Sequence, residues 1–275
     1  MPVQVLSLLG FMDQPEAVNY LSVLSLLADR TEPALLRAWA DARSRLGEPF
    51  PRAGKPAMEP IPTSHQAYVE ELARSPLVTP FASMKPAFAL VEIESLLAYQ
   101  FHLELPRSQM LAGSAKPTLD EMFRICLPHH PEAVPYRCVV QTNGVLVESR
   151  SLNLRMLGML DPKDGAAGIA FGSASPLVQV AQFNGRAYLR NGFHRAYALR
   201  KRGATHMPSM LLHPKGVSEL GARGNGETFG LPLLESANPP SVGHYCQDRA
   251  YELPIRVGRR MIQATWTEYV LLEPD

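Results

Sequence analysis

The chain has 275 residues, 27 Lys+Arg against 26 Asp+Glu for a net charge of +1, 46% hydrophobic residues and 25 prolines, which excludes a disordered tail, a collagen and a globally basic nucleic-acid coat. No run approaches the roughly 18 uninterrupted apolar residues of a membrane helix, and the amino-terminal MPVQVLSLLGFMDQPE lacks the basic residue that precedes the apolar core of a secretory signal. Three scattered cysteines, Cys126, Cys138 and Cys246, form no C-x-x-C pair, so no zinc knuckle or dithiol site is expected and a reducing, cytoplasmic setting is.

From Pro15 to Gly47 the pattern is helical. Ala17, Tyr20, Leu21, Leu24 and Leu27 recur at helical spacing. Thr31, Glu32 and Pro33 read as the N-cap, acidic first turn and N-terminal proline of a second helix. Its apolar face is Leu35, Leu36, Trp39 and Ala42, and Gly47 with Pro49 ends it. Residues 49–62 carry five prolines and read as a linker or an extended strap. His65 to Arg74 predicts a helix; Val91 to His102 predicts either a helix or a strand-helix junction. Residues 1–130 are thus expected to be a helical, proline-rich extension that packs on the rest of the chain or serves self-association.

β character begins near Val134. In residues 138–149 Asn143-Gly144 lies between β-branched runs, a hairpin signal, and Asn184-Gly185 joins Val178–Phe183 to Arg186–Arg190 in the same way. Residues 214–245 are rich in Gly, Pro, Ser and Asn and predict a long loop, in which Asn225-Gly226 lacks flanking apolar runs. A third strand-rich stretch runs from Ala250 to Val257 and, through Gly258, from Met261 to Leu272. Arg256, Arg259 and Arg260 around that glycine read as a solvated hairpin end, the alternative being a basic rim shared with Arg186 and Arg190.

The most informative segment is AYLRNGFHRAYALRKRGATHMPSMLL, residues 187–212. It predicts a strand to about Arg190, a turn at Asn191-Gly192, a helix from Phe193 to Arg202 stopped by Gly203, and a strand from Met207. The amides of Gly192, Phe193, His194 and Arg195 would be the unsatisfied first-turn donors of that helix, which is how a chain builds an anion site. Arg200, Lys201 and Arg202 suit the last turn, where the helix dipole favours cations. His194 and Arg195 sit at the opposite end, where the dipole disfavours a cation by about 0.3–1 kcal/mol. A bound phosphate or carboxylate would reverse that sign; a partner acid for Arg195, or a satisfied turn role for His194, is the alternative. Between Arg186 and Arg202 six Arg or Lys residues meet no acidic residue.

NGFHRAYALRKRGATHMPSMLL resembles the signature of the ParB/sulfiredoxin-like superfamily, in which a strand ends in Gly-x-His/Arg-Arg and enters an Ala- and Leu-rich helix. Gly192, His194, Arg195, Ala198, Gly203 and Pro208 fall on matching positions, and the resemblance spans about residues 174–213. It implies an α+β fold, a ParB/sulfiredoxin-like mixed sheet with helices over residues 131–275, with the helical amino-terminal extension outside it. It further implies a phosphate or nucleotide pocket on the turn. Phe193 stands where a sulfiredoxin needs its cysteine thiolate, which argues against that chemistry. No helix-turn-helix follows the motif, which argues against a chromosome-partition role, and Asn191 replaces a frequently acidic residue.

The expected function is therefore binding of a phosphate-bearing ligand, foremost a nucleoside triphosphate with Mg²⁺, by Asn191, Gly192, Phe193, His194 and Arg195. Phosphoryl transfer or hydrolysis would use Arg195 and the helix amides to stabilise phosphate charge and His194 as acid, base or ligand. One alternative is a nuclease or toxin-like effector gripping nucleic acid at the same turn. Another is a non-catalytic binding module that retains the fold. Glu92, Glu94, Glu148, Asp248 and Glu252 are equivalent candidates for Mg²⁺. His129-His130 predicts an exposed loop, and His206 and His213 predict opposite sides of a strand. No P-loop and no G-x-S-x-G elbow is present.

Overall fold

Strand β1 (Val3–Ser7) leads through a 3₁₀ turn into α1 (Gln14–Leu24), which Asp13 caps by accepting the Glu16 amide. Helix α2 (Glu32–Ser44) starts after Thr31 as expected, although the Thr31 hydroxyl donates to Asp29 instead of capping. The two helices pack on each other and bury Ala17, Tyr20, Leu21, Leu35, Ala38 and Ala42. The proline-rich strap contains β2 (Met58–Glu59) and is followed by α3 (Gln66–Ala73), β3 (Ala87–Glu92), β4 (His102–Glu104), α4 (Leu105–Met110) and α5 (Leu119–Cys126). This computed structural model describes residues 2–111, 113, 115–130, 133–151, 153–163, 166–173, 175–220, 228–256 and 258–268.

Next come β5 (Arg137–Gln141), β6 (Gly144–Ser149), β7 (Leu154–Lys163) and β8 (Ala166–Ser173), then the motif unit β9 (Gln179–Phe183), β10 (Arg186–Asn191), α6 (Phe193–Lys201) and β11 (His206–Leu212). The segment expected to be a long loop holds three short helices, α7 (Val217–Leu220), α8 (Leu231–Leu234) and α9 (Val242–Cys246). Its Asn225-Gly226 lies outside the described residues. The chain continues with β12 (Tyr251–Ile255) and β13 (Arg260–Thr265); residues 269–272 of the expected last strand also lie outside the described residues.

The protein is mixed α+β and divides into two compact units, one of residues 1–129 with 177–256, the other of residues 130–176 with 257–275. In the larger unit a five-stranded sheet has the order β10-β9-β11-β3-β2, and a three-stranded sheet has the order β12-β1-β4. β11 runs parallel to β9 and antiparallel to β3, and six of its seven residues are buried, as its nearly continuous apolar run requires. Pro208 is tolerated there because the ladder to β9 begins only at Met210. The smaller unit has a three-stranded sheet, β13-β6-β5, and a β7-β8 hairpin.

Three expectations are corrected. The first 130 residues are not a helical extension: β3 pairs with β11 of the motif unit, and β1 is the central strand of the second sheet. Residues 1–129 and 177–256 accordingly share one apolar core. The Val91–His102 stretch is not a helix; its first two residues end β3, an internal strand, and its last opens β4. The carboxyl-terminal strands are likewise not a hairpin, since β12 pairs with β1 and β13 with β6.

The two expected hairpins form, with one shift. Asn184 and Gly185 adopt φ of +49° and +70°, as a type I′ turn demands. In the other, Thr142 and Asn143 make the turn and Gly144 opens β6 opposite Gln141. A Cβ on Gly144 would lie 2.6 Å from the Ala264 carbonyl oxygen, so the glycine serves the close approach of β13. No helix among the described residues is long and apolar enough to cross a membrane.

Candidate anion-binding site

The strand-turn-helix unit forms as expected, and its turn is fixed by packing on several sides. Asn191 Nδ2 donates to the Leu177 carbonyl at 2.8 Å. Gly192, at φ +109°, leads into α6, and a Cβ there would lie 2.8 Å from Val178 Cγ2, so both backbone angle and space require glycine. Phe193 is buried edge-to-face against Tyr99 at 5.7 Å, and the Tyr99 hydroxyl donates to the Arg190 carbonyl at 2.7 Å. Phe193 is thus a core residue, and only its backbone is offered to a ligand.

At the first turn of α6 the Ala196 amide is the first to find a helical acceptor, the Gly192 carbonyl. The Phe193 and His194 amides have no acceptor among the described residues. His194 Nε2 accepts the Glu104 amide at 3.0 Å, where β4 passes into α4. In the neutral ring this assignment leaves the hydrogen on Nδ1. Burial, followed by the charges of Arg107, His102 and Arg195, pushes the His194 pKa down to about 3. The imidazole is therefore neutral near pH 7, and the helix-dipole argument that treated it as a cation applies to Arg195 alone.

Arg195 Nη1 donates to the Ile125 carbonyl at 3.4 Å, in the last turn of α5. It thus lies beside the negative end of another helix dipole, an arrangement that favours a cation. Nearby Cys126 is fully buried, and burial drives its thiol pKa up to about 12 while Arg195 acts in the opposite direction. That cysteine is a packing residue at neutral pH.

Arg107, on α4, is the cation that the sequence reading missed. Helix α4 packs on α6, and the Arg107 charge helps to hold His194 neutral. Neither hydrogen bond nor ion pair is found for Arg107 among the described residues. Nothing in the sequence points to it, because residues 107 and 194 meet only when α4 packs on α6; its local signal, a basic residue in a last helical turn, is an ordinary helix end.

The basic residues around the turn are tied by contacts to other segments. Arg186 donates to the carbonyls of Leu234, Glu235 and Ser236. Arg190 donates to Gln179 at 3.0 Å, Arg200 pairs with Glu94 at 2.9 Å and Lys201 with Asp248 at 3.6 Å. Arg202, with a side chain only 7% exposed, pairs with Glu121 at 2.7 Å and donates to the Ala115 carbonyl. What looked in sequence like a stretch of unopposed charge is a set of tertiary ties.

Similar ties engage four of the five carboxylates considered for Mg²⁺. Glu92 accepts the Ala57 amide, Glu94 holds Arg200, Glu148 lies 3.6 Å from Arg137 and Asp248 lies 3.6 Å from Lys201. Among the described residues no group of three His, Cys, Asp or Glu side chains could hold a metal.

His129 is not the exposed loop residue expected: its ring packs on Tyr68 at 4.2 Å and its Nδ1 lies 3.3 Å from Glu71, while His130 is exposed. His206 lies 3.7 Å from Glu59 and contacts Thr205, a structural placement. No family model matches the sequence, and neither the curated proteins nor the solved structures searched contain a match.

Proposed function

We propose that the protein binds a phosphate-bearing ligand at the first turn of α6, as a binding module of the ParB/sulfiredoxin-like type without phosphoryl-transfer chemistry at that turn. The observation that carries the reading is the pair of first-turn amides, Phe193 and His194, that lack acceptors beneath a glycine turn. Arg195 and Arg107 add positive charge near the same turn, and the His194 Nδ1 hydrogen adds a neutral donor. A helix N-terminus with a nearby guanidinium suits a phosphate oxygen cluster, and a nucleoside triphosphate is the first ligand to test.

Binding is favoured over catalysis by a specific observation. A general acid or base works best with a pKa near the operating pH, and His194 at about 3 is far below it. Phe193, buried in the core, supplies no reactive group. The nuclease alternative gains nothing from the basic run, whose members are held by carboxylates and carbonyls.

Thermal denaturation with ATP, CTP, GTP and inorganic phosphate, each with and without Mg²⁺, tests the proposal. A ligand at 100 times its Kd stabilises a native state by about 2.7 kcal/mol. A rise in melting temperature that is at least halved in Arg195→Ala and reduced in Arg107→Ala is expected. No shift for any of them at millimolar concentration would sink the reading.

A further inference from the structure

A different part of the larger unit carries a nucleophile, a base and an orienting carboxylate in series. Ser64 lies in the 3₁₀ turn Thr63–His65 and is exposed. Its Oγ is 2.9 Å from His65 Nδ1, and His65 Nε2 is 2.8 Å from Asp120 Oδ1. An ionised carboxylate only accepts, so in the neutral ring Nε2 carries the hydrogen and Nδ1 is left to accept from the Ser64 hydroxyl. The imidazole is held in that orientation by stacking on Phe123, with ring centres 4.3 Å apart and planes 19° from parallel, and its side chain is only 12% exposed. Asp120 follows the α5 N-cap Thr118, whose side chain accepts the Glu121 amide, so the carboxylate stands on a capped helix start.

Pro60, Ile61 and Gln66, which flank Ser64 and His65 in sequence, line an open groove together with Val69, Glu70, Ala73 and Phe88; Ser64, His65 and Asp120 lie outside that lining. Its largely apolar wall suits a short acyl chain. A looser arrangement elsewhere gives a built-in comparison: Thr205 lies 3.1 Å from His206 Nδ1, but Glu59 is 3.7 Å from His206 Nε2. There the base lacks a hydrogen-bonded orienting group.

We propose that Ser64, His65 and Asp120 form an acyl-transfer site that hydrolyses small esters. Ser64 Oγ adds to the ester carbonyl carbon as its proton passes to His65 Nδ1. The bond to the leaving alkoxide breaks, and that alkoxide takes the proton from the imidazolium. Water then adds to the acyl carbon, loses a proton to the same nitrogen and releases the acid, and Ser64 recovers its hydrogen. Ser64 and His65 are the catalytic residues, and Asp120 is a positioning residue.

The test uses the full chain with a fluorophosphonate probe and with p-nitrophenyl butyrate. Expected are a single label on the peptide containing Ser64 and ester turnover above buffer, both abolished in Ser64→Ala and unaffected in Thr205→Ala. His65→Gln lowers turnover by about 100-fold or more, the usual contribution of a general base. Because His65 packs on Phe123, the decisive variant is Ser64→Ala, a hydroxyl deletion at an exposed position. Asp120→Asn lowers turnover by about tenfold, and Asp120→Glu, which keeps the carboxylate, restores most of it. Absence of label on the wild-type chain, label on another serine or threonine, or turnover that survives in Ser64→Ala would overturn the proposal; unchanged turnover in Asp120→Asn would remove Asp120 from it.

Discussion

The two ends of α6 carry the same kinds of residue and resolve them differently. At the carboxyl end, Arg200, Lys201 and Arg202 already enjoy the helix dipole and each also finds a carboxylate, from Glu94, Asp248 and Glu121 respectively. At the amino end the dipole opposes cations: His194 escapes by losing its charge, and Arg195 by reaching the last turn of α5. The difference teaches that a charge counted in sequence is not a charge in the fold. Burial can delete it, a distant carboxylate can neutralise it, and a distant carbonyl can hold it in place.

The largest test of the comparison is acidification. His102, His194 and His244 are pushed down to pKa values of about 4, 3 and 4, in each case chiefly by burial. The folded chain therefore binds fewer protons than the unfolded one between the ordinary histidine value near 6.5 and those lower values. Their stabilising contribution is complete above pH 6.5 and is lost as pH falls toward 4. At pH 5 each group costs about 2 kcal/mol relative to neutral pH, so urea midpoints measured from pH 7.5 to 4.5 should fall steeply. A flat profile would mean that none of the three, His194 at the amino end of α6 included, is held neutral by the fold.

Next in size is Gly192→Ala. A left-handed backbone angle costs a Cβ-bearing residue about 1–2 kcal/mol and overpacking a further 1–3 kcal/mol, so a loss of about 2–5 kcal/mol in chemical denaturation is expected. Val178→Ala would recover part of the loss in the double variant, because it removes the methyl that the new Cβ meets. Smaller effects distinguish the carboxyl-end cations from one another. Arg202→Ala should lower the melting temperature measurably, since its guanidinium is enclosed and bonded to Glu121 and Ala115. Lys201→Ala should leave it within error, because Asp248 is 94% exposed and such surface pairs contribute little. Equal effects of these two substitutions would show that burial does not set the worth of these pairs.

Local signals were read well where local physics is sufficient. The α1 and α2 periodicities, the Asn184-Gly185 turn and the β10-α6-β11 unit with Gly203 at its stop all form where the pattern places them. The pattern did not reveal that β1 joins β12 and that β3 joins β11, because strand pairing across such sequence distances leaves no spacing to read. For the site, the sequence supplied the turn and its amides but not Arg107, nor the neutrality of His194, nor the carboxylates that hold Arg200, Lys201 and Arg202. Ser64, His65 and Asp120 were equally illegible as a set: two are neighbours, but the third arrives only when α5 packs beside the turn that carries His65.

By itself, then, the sequence determined short-range geometry: which segments coil, where glycine permits a turn, and that first-turn amides would lie at Phe193 and His194. Hydrogen bonding within a few residues and the period of apolar side chains settle those matters. Only the tertiary structure decided the electrostatics, because the sign and worth of a charge depend on burial and on partners brought from far along the chain. That is why a run of six cations without a single acid between Arg186 and Arg202 became, in the fold, three ion pairs and three guanidinium groups bonded to carbonyl oxygens.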